Sequence, residues 1–125
     1  MERKIRINLD NIILEAELFD NITAEKIWDS LPLESFGNLW GEEVYFSTTV
    51  TSPLDETSHI IVQKGDIAYW PPSKAMCIFW GKTPVSTDTE IKAASAVNII
   101  GKVTSDLSCL NSLKDGCDVL VTKIE

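Results

Sequence analysis

Residues Tyr69–Gly81 read YWPPSKAMCIFWG, an aromatic stretch interrupted by a double proline. Alternate side chains of a strand point to opposite faces of a sheet. In AMCIFW, one face carries Ala75, Cys77 and Phe79, and the other carries Met76, Ile78 and Trp80. Both faces are therefore apolar, as expected for a central strand that is covered on both sides. Two prolines fix the preceding chain and hold Tyr69 and Trp70 at a strand end, either as core or as the wall of a pocket.

Short apolar runs separated by turn residues extend outward from this stretch in both directions. Toward the N-terminus they are DIAYW, HIIV, EEVYFSTTV and SFGNLW, and toward the C-terminus AVNIIGKV and CDVLVTKI. KIRINL and IILEAELF, with Asp10-Asn11 between them, predict an opening β-hairpin. The spacing of the breaks at residues 64–66, 71–72 and 81 is typical of a β-barrel or sandwich.

Two segments have a helical pattern and one is a polar connection. NITAEKIWDSLP (residues 21–32) predicts a short helix with Thr23 as N-cap and Pro32 as its stop. SDLSCLNSLKDG (residues 105–116) predicts a second one, with Gly116 just past its end. Thr83–Ala96 is polar and long enough to be a functional loop or lid. The whole chain, residues 1–125, is predicted to be a single, mainly β domain.

Composition excludes several classes of partner. The chain has 11 basic and 19 acidic residues, a net charge of −8, and no basic stripe, so nucleic acid is not an expected partner. No apolar run approaches the roughly 20 residues that span a bilayer, and the N-terminus lacks a secretory signal, so we expect a cytoplasmic protein outside the membrane.

One histidine and three dispersed cysteines predict neither a metal site nor a disulfide, and no motif indicates a cofactor. Each cysteine is expected to be a small buried apolar residue.

Several motifs together resemble one family. ELFDN (residues 17–21), WGEEVYF (40–46), YWPPSKAMCIFWG (69–81) and VNIIGKV (97–103) follow one another as in the small prokaryotic cyclophilin-like proteins. The resemblance covers essentially the full chain. It implies a cyclophilin-like closed β-barrel with two short helices, in a family without an assigned function.

The resemblance also allows the prolyl isomerase residues to be sought. Cyclophilins use an arginine from the strand that corresponds to EEVYF, whereas Arg3 and Arg6 lie in the first predicted strand. Matching VNIIGKV to the cyclophilin strand puts Val97 in the position of the family's histidine and Lys92 near that of its tryptophan. Lysine lacks the planar fork of arginine. The isomerase site is therefore expected to be absent, and a divergent isomerase would need another donor.

The most distinctive polar feature of the sequence is the adjacent pair of carboxylates Glu42-Glu43. Adjacent strand residues face opposite sides, so these two carboxylates cannot form a catalytic dyad. Parity groups Glu42 with Val44 and Phe46, which favours Glu42 as the partly desolvated carboxylate beside Trp40, with a raised pKa. His59 is expected to be a solvated strand-end residue without a nucleophile.

The combined prediction is a non-catalytic module that binds a small-molecule or peptide ligand. Aromatic faces beside glutamate suit a cationic or amine-bearing ligand. The candidate pocket residues are Trp40, Glu42, Glu43, Tyr45, Tyr69, Trp70 and Pro71. Two further alternatives stay open: an enzyme that uses Glu42 or Glu43 with Tyr45 or Tyr69 as acid and base, and an oligomer-forming domain with the aromatics in its interface. The sequence does not define the oligomeric state.

Overall fold

The computed structural model describes residues 3–124, which form nine strands, one α-helix and two 3-10 turns. The strands are β1 (Arg3–Leu9), β2 (Ile12–Leu18), β3 (Leu33–Leu39), β4 (Glu43–Ser47), β5 (Ser58–Val62), β6 (Asp66–Trp70), β7 (Ala75–Phe79), β8 (Ile91–Val103) and β9 (Cys117–Lys123). The helix α1 is Ile22–Ser30, and the 3-10 turns are Pro71–Ser73 and Ser108–Ser112. Within this part of the chain, no helix is long and apolar enough to cross a membrane.

The nine strands form one antiparallel sheet in the order β2-β1-β9-β3-β4-β7-β6-β8-β5. The predicted hairpin is confirmed, with β1 paired to β2 along its full length. β2 also pairs with β8, so eight strands form a ring of pairs, and β5 lies beside β8 outside this ring. At the β2–β8 contact, a Cβ on Gly101 would collide with the carbonyl oxygen of Glu17, so this close approach requires glycine.

An inner apolar cluster fills the ring. It takes buried side chains from all eight ring strands and from α1. The largest fully buried members include Tyr69, Phe46, Ile78, Met76 and Ile27. The predicted alternation of AMCIFW places Met76 and Ile78 in this cluster. Burial of this apolar surface is the main stabilising contribution to the fold.

A second, outer apolar cluster lies on the opposite face of the same strands. Its buried members are Val62, Ala68, Cys77, Phe79, Ala93 and Val97, with Tyr45, Trp70, Ile91 and Ile99 packed against them. β8 extends beyond its pairing with β2, and there it pairs with β5. This extension covers the outer face of β6 and β7, which is why both faces of AMCIFW are apolar.

The helix α1 begins earlier than predicted. Asn21, not Thr23, is its N-cap, and the Asn21 Oδ1 accepts a hydrogen bond of 2.9 Å from the Ala24 N–H. Thr23 lies fully buried inside the helix, and its hydroxyl contacts the Ser52 hydroxyl at 2.8 Å. Both residue types cap helices well, so the sequence alone could not separate them. Ile27 is buried, and Trp28 and Leu31 pack against the inner cluster.

Two predictions about the C-terminal half were wrong. The second helix is only a 3-10 turn, because Asp106 accepts hydrogen bonds from the N–H and hydroxyl of Ser108 and so holds the backbone in a local turn. The polar segment Thr83–Ala96 is not one loop, since β8 begins at Ile91 and Lys92 lies opposite Ile61. The remaining loop is closed by the Ser86 hydroxyl, which accepts from the backbone N–H groups of Thr83 and Lys92.

Candidate functional site

Tyr69 and Trp70 end β6 and point to opposite faces of the sheet. Tyr69 is fully buried in the inner cluster, where its hydroxyl donates a 2.6 Å hydrogen bond to the carbonyl oxygen of Val50. Trp70 packs against the outer cluster and stays partly exposed. The aromatic stretch therefore contains both core and the wall of a cavity.

That cavity, which we call the outer cavity, has a volume of about 230 Å³. It is lined by Trp40, Glu43, Tyr45, Trp70, Cys77, Ala93, Ala94 and Val97. The aromatic and small apolar residues form most of its wall, and Glu43 supplies its acidic group. A pocket that is mostly apolar with few polar groups is the usual form of a small-ligand site, and this volume is below the roughly 300 Å³ at which drug-sized pockets begin.

Glu43 is the buried ionisable group of this cavity. Only 5% of its surface is exposed, because it begins β4 between Trp40 and the paired strand β7. Burial raises the pKa of Glu43 from its ordinary value of 4.5 to about 7, against a smaller lowering of the pKa by a hydrogen bond from the Cys77 side chain. Burial, followed by the charge of Glu43, raises the pKa of the Cys77 thiol well above its ordinary value. Cys77 is therefore a neutral thiol rather than a nucleophile.

The aromatic walls are held in place by specific contacts. Tyr45 and Trp70 meet edge to face, with ring centroids 6.5 Å apart and planes inclined by 69°. The Trp70 indole N–H donates a 2.7 Å hydrogen bond to the Ser95 hydroxyl on β8. The Trp40 backbone N–H donates to the carbonyl oxygen of Glu43 across the turn between β3 and β4. The edge-to-face contact and the indole hydrogen bond fix the Tyr45 and Trp70 rings, which lowers the entropic cost of binding a ligand.

Four of the candidate pocket residues, Trp40, Glu43, Tyr45 and Trp70, are brought together in the outer cavity. Glu42 is not among its lining residues. The Glu42 carboxylate instead accepts a hydrogen bond from the Lys82 N–H and borders a wider depression of about 990 Å³ with Trp80 and Lys82. The preference for Glu42 as the desolvated carboxylate was wrong, because Val44 and Phe46 face the ring interior whereas the cavity lies on the other face.

Tyr69 and Pro71 also lie outside the cavity. Tyr69 belongs to the inner cluster, and Pro71 opens the 3-10 turn that connects β6 to β7. Lys74 ends this turn with a left-handed φ of 50°. The double proline thus shapes the connection, and Trp70 alone of this set projects into the cavity.

Four cavity residues on β7 and β8 are not among the predicted pocket residues: Cys77, Ala93, Ala94 and Val97. Cys77 carried a signal, since it shares a face of AMCIFW with Phe79. Val97 also did, because the match to the cyclophilin strand placed it in the position of the family's histidine. Ala93, Ala94 and Ser95 all lay within the predicted polar loop, which carried no signal for a cavity.

The arginines, His59 and two of the three cysteines lie outside the outer cavity. Arg3 pairs with Asp20 and Arg6 with Glu15, both within or beside the first hairpin. His59 is exposed on β5, as predicted, with its Nδ1 2.9 Å from the carbonyl oxygen of Thr57. Cys77 and Cys117 are buried as predicted, whereas Cys109 is exposed. Across residues 3–124, histidine, cysteine and carboxylate side chains do not gather in threes as metal ligands.

Comparison with known proteins gives a family and a structural relative. Residues 3–122 match the family described as cyclophilin-like. A hypothetical protein from Archaeoglobus fulgidus, with a structure determined in solution, is 40% identical in sequence and superposes with a TM-score of 0.84. The alignment covers 98% of this chain and 95% of the archaeal one. A search of curated proteins finds no match.

Proposed function

The chain belongs to the cyclophilin-like family, and from this membership and the geometry of the outer cavity we propose that it is a non-catalytic binding protein. The ligand is a small molecule, or one group of a peptide, that carries a positive charge. The volume of about 230 Å³ suits a head group or a side chain rather than a drug-sized molecule. The ring of eight paired strands acts as a closed barrel that presents this cavity on its outer face.

The observation that carries the proposal is a nearly buried carboxyl group among aromatic rings. An unpaired carboxylate is costly to bury, so Glu43 favours either a proton or a bound cation. The faces of tryptophan and tyrosine attract cations, most strongly where water is excluded. Glu43 with Tyr45 and Trp70 thus offers one charge and two ring surfaces to an alkylammonium group.

A proton and a bound cation compete for Glu43, so the affinity for a cationic ligand should depend on pH. Below its pKa of about 7 the carboxyl group is neutral and attracts a cation weakly. Affinity should therefore rise about tenfold per pH unit as pH approaches 7 from below, and level off above it.

The test is a pair of ligands with the same shape and different charge. Choline and its neutral analogue 3,3-dimethylbutan-1-ol are titrated into the protein, and the indole N–H resonances are followed by NMR. We expect choline to shift the Trp70 signal and the neutral analogue to bind at least tenfold more weakly, since it lacks the attraction to Glu43. Equal effects of both ligands, or none from either, would contradict the proposal.

Two matched variants complete this experiment. Glu43→Gln keeps the side-chain shape, removes the charge and should abolish both choline binding and its pH dependence. Glu42→Gln changes the neighbouring exposed carboxylate, which borders a different depression, and should leave binding unchanged. If the Glu42 variant loses binding and the Glu43 variant keeps it, the outer cavity is not the site.

One observation favours a second candidate function, an acid–base enzyme. A carboxyl group with a pKa of about 7 and the phenol of Tyr45 share the outer cavity. General acids and bases work best when the pKa is close to the operating pH. This candidate would gain support if a compound that competes with choline for binding were converted to product. The conversion should be lost in both Glu43→Gln and Tyr45→Phe.

A further inference from the structure

The strand β5 lies at the one open end of the sheet. Among residues 3–124 it pairs with β8 alone, whereas the strand at the other end of the order, β2, also pairs with β8. Three consecutive residues of β5 are exposed: His59, Ile60 at 50% and Ile61 at 43%. An exposed strand edge of this kind is a template for pairing with another strand.

Backbone direction identifies which groups face outward. The carbonyl oxygen of Thr57 accepts a hydrogen bond from the Ile99 N–H of β8. The β5–β8 pairing shifts register between His59 and Ile61, but β5 advances by only two residues across the shift, so the alternation along β5 is kept and the N–H and C=O of Ile60 point away from β8. These two groups are the donor and the acceptor that a neighbouring strand would use.

The residues of β5 do not protect this edge. Natural edge strands are commonly blocked by lysine, proline or inward-pointing charges. SHIIV, residues 58–62, contains none of these. Charges occur beside the strand rather than within it, and the exposed ones nearest to it are Glu56 before it and Lys64 after it.

We propose that β5 pairs antiparallel with β5 of a second copy of this chain, about a two-fold axis at Ile60. In this register Ile60 faces the partner's Ile60, and His59 faces the partner's Ile61. Both faces of the new strand pair are then mainly apolar, as cross-strand pairs prefer.

Charge complementarity selects this occupant. With Ile60 at the axis, the turn before β5, which carries Glu56, lies at the same end of the contact as the partner's turn after β5, which carries Lys64. The interface therefore has opposite charges at both ends and the apolar Ile60 pair at its centre. An isologous contact of this kind closes as a dimer and does not propagate.

The contact is short, so we expect a reversible dimer. Five paired residues bury less than the roughly 1,600 Å² of a standard stable interface. The net charge of −8 on each copy opposes association, although salt screens it beyond about 8 Å at physiological ionic strength. Dimerisation should accordingly be detected only at high protein concentration.

Sedimentation velocity across a concentration series, with paired charge reversals, tests the proposal. Lys64→Glu places glutamate opposite glutamate at both ends, and Glu56→Lys places lysine opposite lysine. Each single variant should weaken dimerisation about tenfold or more, since like charges opposite each other are destabilising. The double variant carrying both reversals should recover the wild-type association.

Mixing the two single variants tests most directly whether these charges face each other across the contact. The Lys64→Glu chain and the Glu56→Lys chain should form a heterodimer while each alone stays monomeric. A wild-type protein that is monomeric at every concentration would overturn the proposal, as would a dimer that is indifferent to both reversals. In the first case β5 would be free for an extended strand from another protein.

A cross-link gives a second, independent readout. Ile60→Cys, in a Cys109→Ser background that removes the exposed native thiol, should form a disulfide-linked dimer when oxidised glutathione is added as the oxidant, because residue 60 faces itself across the axis. Ile61→Cys in the same background is the matched control, and it should cross-link much less because it faces the partner's His59. Equal cross-linking of both variants would contradict the register.

Discussion

The two sides of the β4-β7-β6 sheet differ although they share the same strands. On the inner side, Phe46 and Tyr69 are fully buried among apolar neighbours, and the polar hydroxyl of Tyr69 has its own backbone acceptor. On the outer side, Trp70 and Tyr45 leave a cavity between them, and Glu43 is buried without an ion-pair partner among the described residues. The inner side supports folding, and the outer side contains a cavity with a buried carboxyl group, which lowers stability. Such local departures from good packing are expected where a protein binds something.

The largest expected difference between the two sides is the cost of truncating an aromatic residue. Phe46→Ala should lower the free energy of unfolding by about 3–5 kcal/mol, because it removes a fully buried ring and leaves a cavity. Trp70→Ala removes a larger ring that is partly exposed, and should cost only about 1–2 kcal/mol. Urea unfolding measures both. Equal costs would mean that Trp70 is as much core as Phe46, and the contrast between the sides would fail.

The next effect is the pH dependence that Glu43 confers. Its pKa in the folded protein is raised above the ordinary 4.5, so the folded state holds this proton more tightly than the unfolded state does. The stability that this group contributes is therefore fully present below about pH 4.5 and decreases as pH rises to about 7, by roughly 3 kcal/mol. Glu43→Gln should remove this decrease and make the protein more stable than the wild type by about that amount at high pH, with little difference at low pH.

Urea unfolding of both proteins between about pH 5 and pH 8 measures this difference. Because other groups titrate in the same range, the quantity to follow is the difference between variant and wild type. Glu42→Gln is the control, since it alters the adjacent, exposed carboxylate and leaves Glu43 in place. A constant difference between Glu43→Gln and the wild type across this range would show that Glu43 is solvated.

The sequence could predict the strands but not the side of the sheet on which each polar group lies. Alternating and apolar runs located the strands, and the family motifs indicated the cyclophilin-like fold. Both faces of AMCIFW are apolar, however, so parity could not tell the ring interior from the outer face. The preference for Glu42 followed from taking the Val44 and Phe46 face as the side of the pocket. The correct side depends on the extension of β8 past β2, which is a long-range pairing with no local signal.

The smallest expected effect compares one substitution on the two sides. Tyr69→Phe removes the hydroxyl that donates to the carbonyl oxygen of Val50 at 2.6 Å and leaves that buried acceptor without its donor. This should cost about 1–2 kcal/mol of unfolding free energy. Tyr45→Phe removes a hydroxyl from a residue that lines an open cavity and should change stability by no more than about 0.5 kcal/mol.

Choline titrations of the same two variants should show binding close to that of the wild type in both. Tyr69→Phe lies on the inner side and should bind choline as the wild type does. Tyr45→Phe keeps the ring face but loses its polar tip, so cation binding through the ring persists, whereas any acid–base chemistry that needs the phenol disappears. If Tyr69→Phe impairs choline binding while Tyr45→Phe lowers stability, the assignment of folding to the inner side and of binding to the outer side is wrong. The inner hydroxyl would then serve binding and the outer hydroxyl would serve folding.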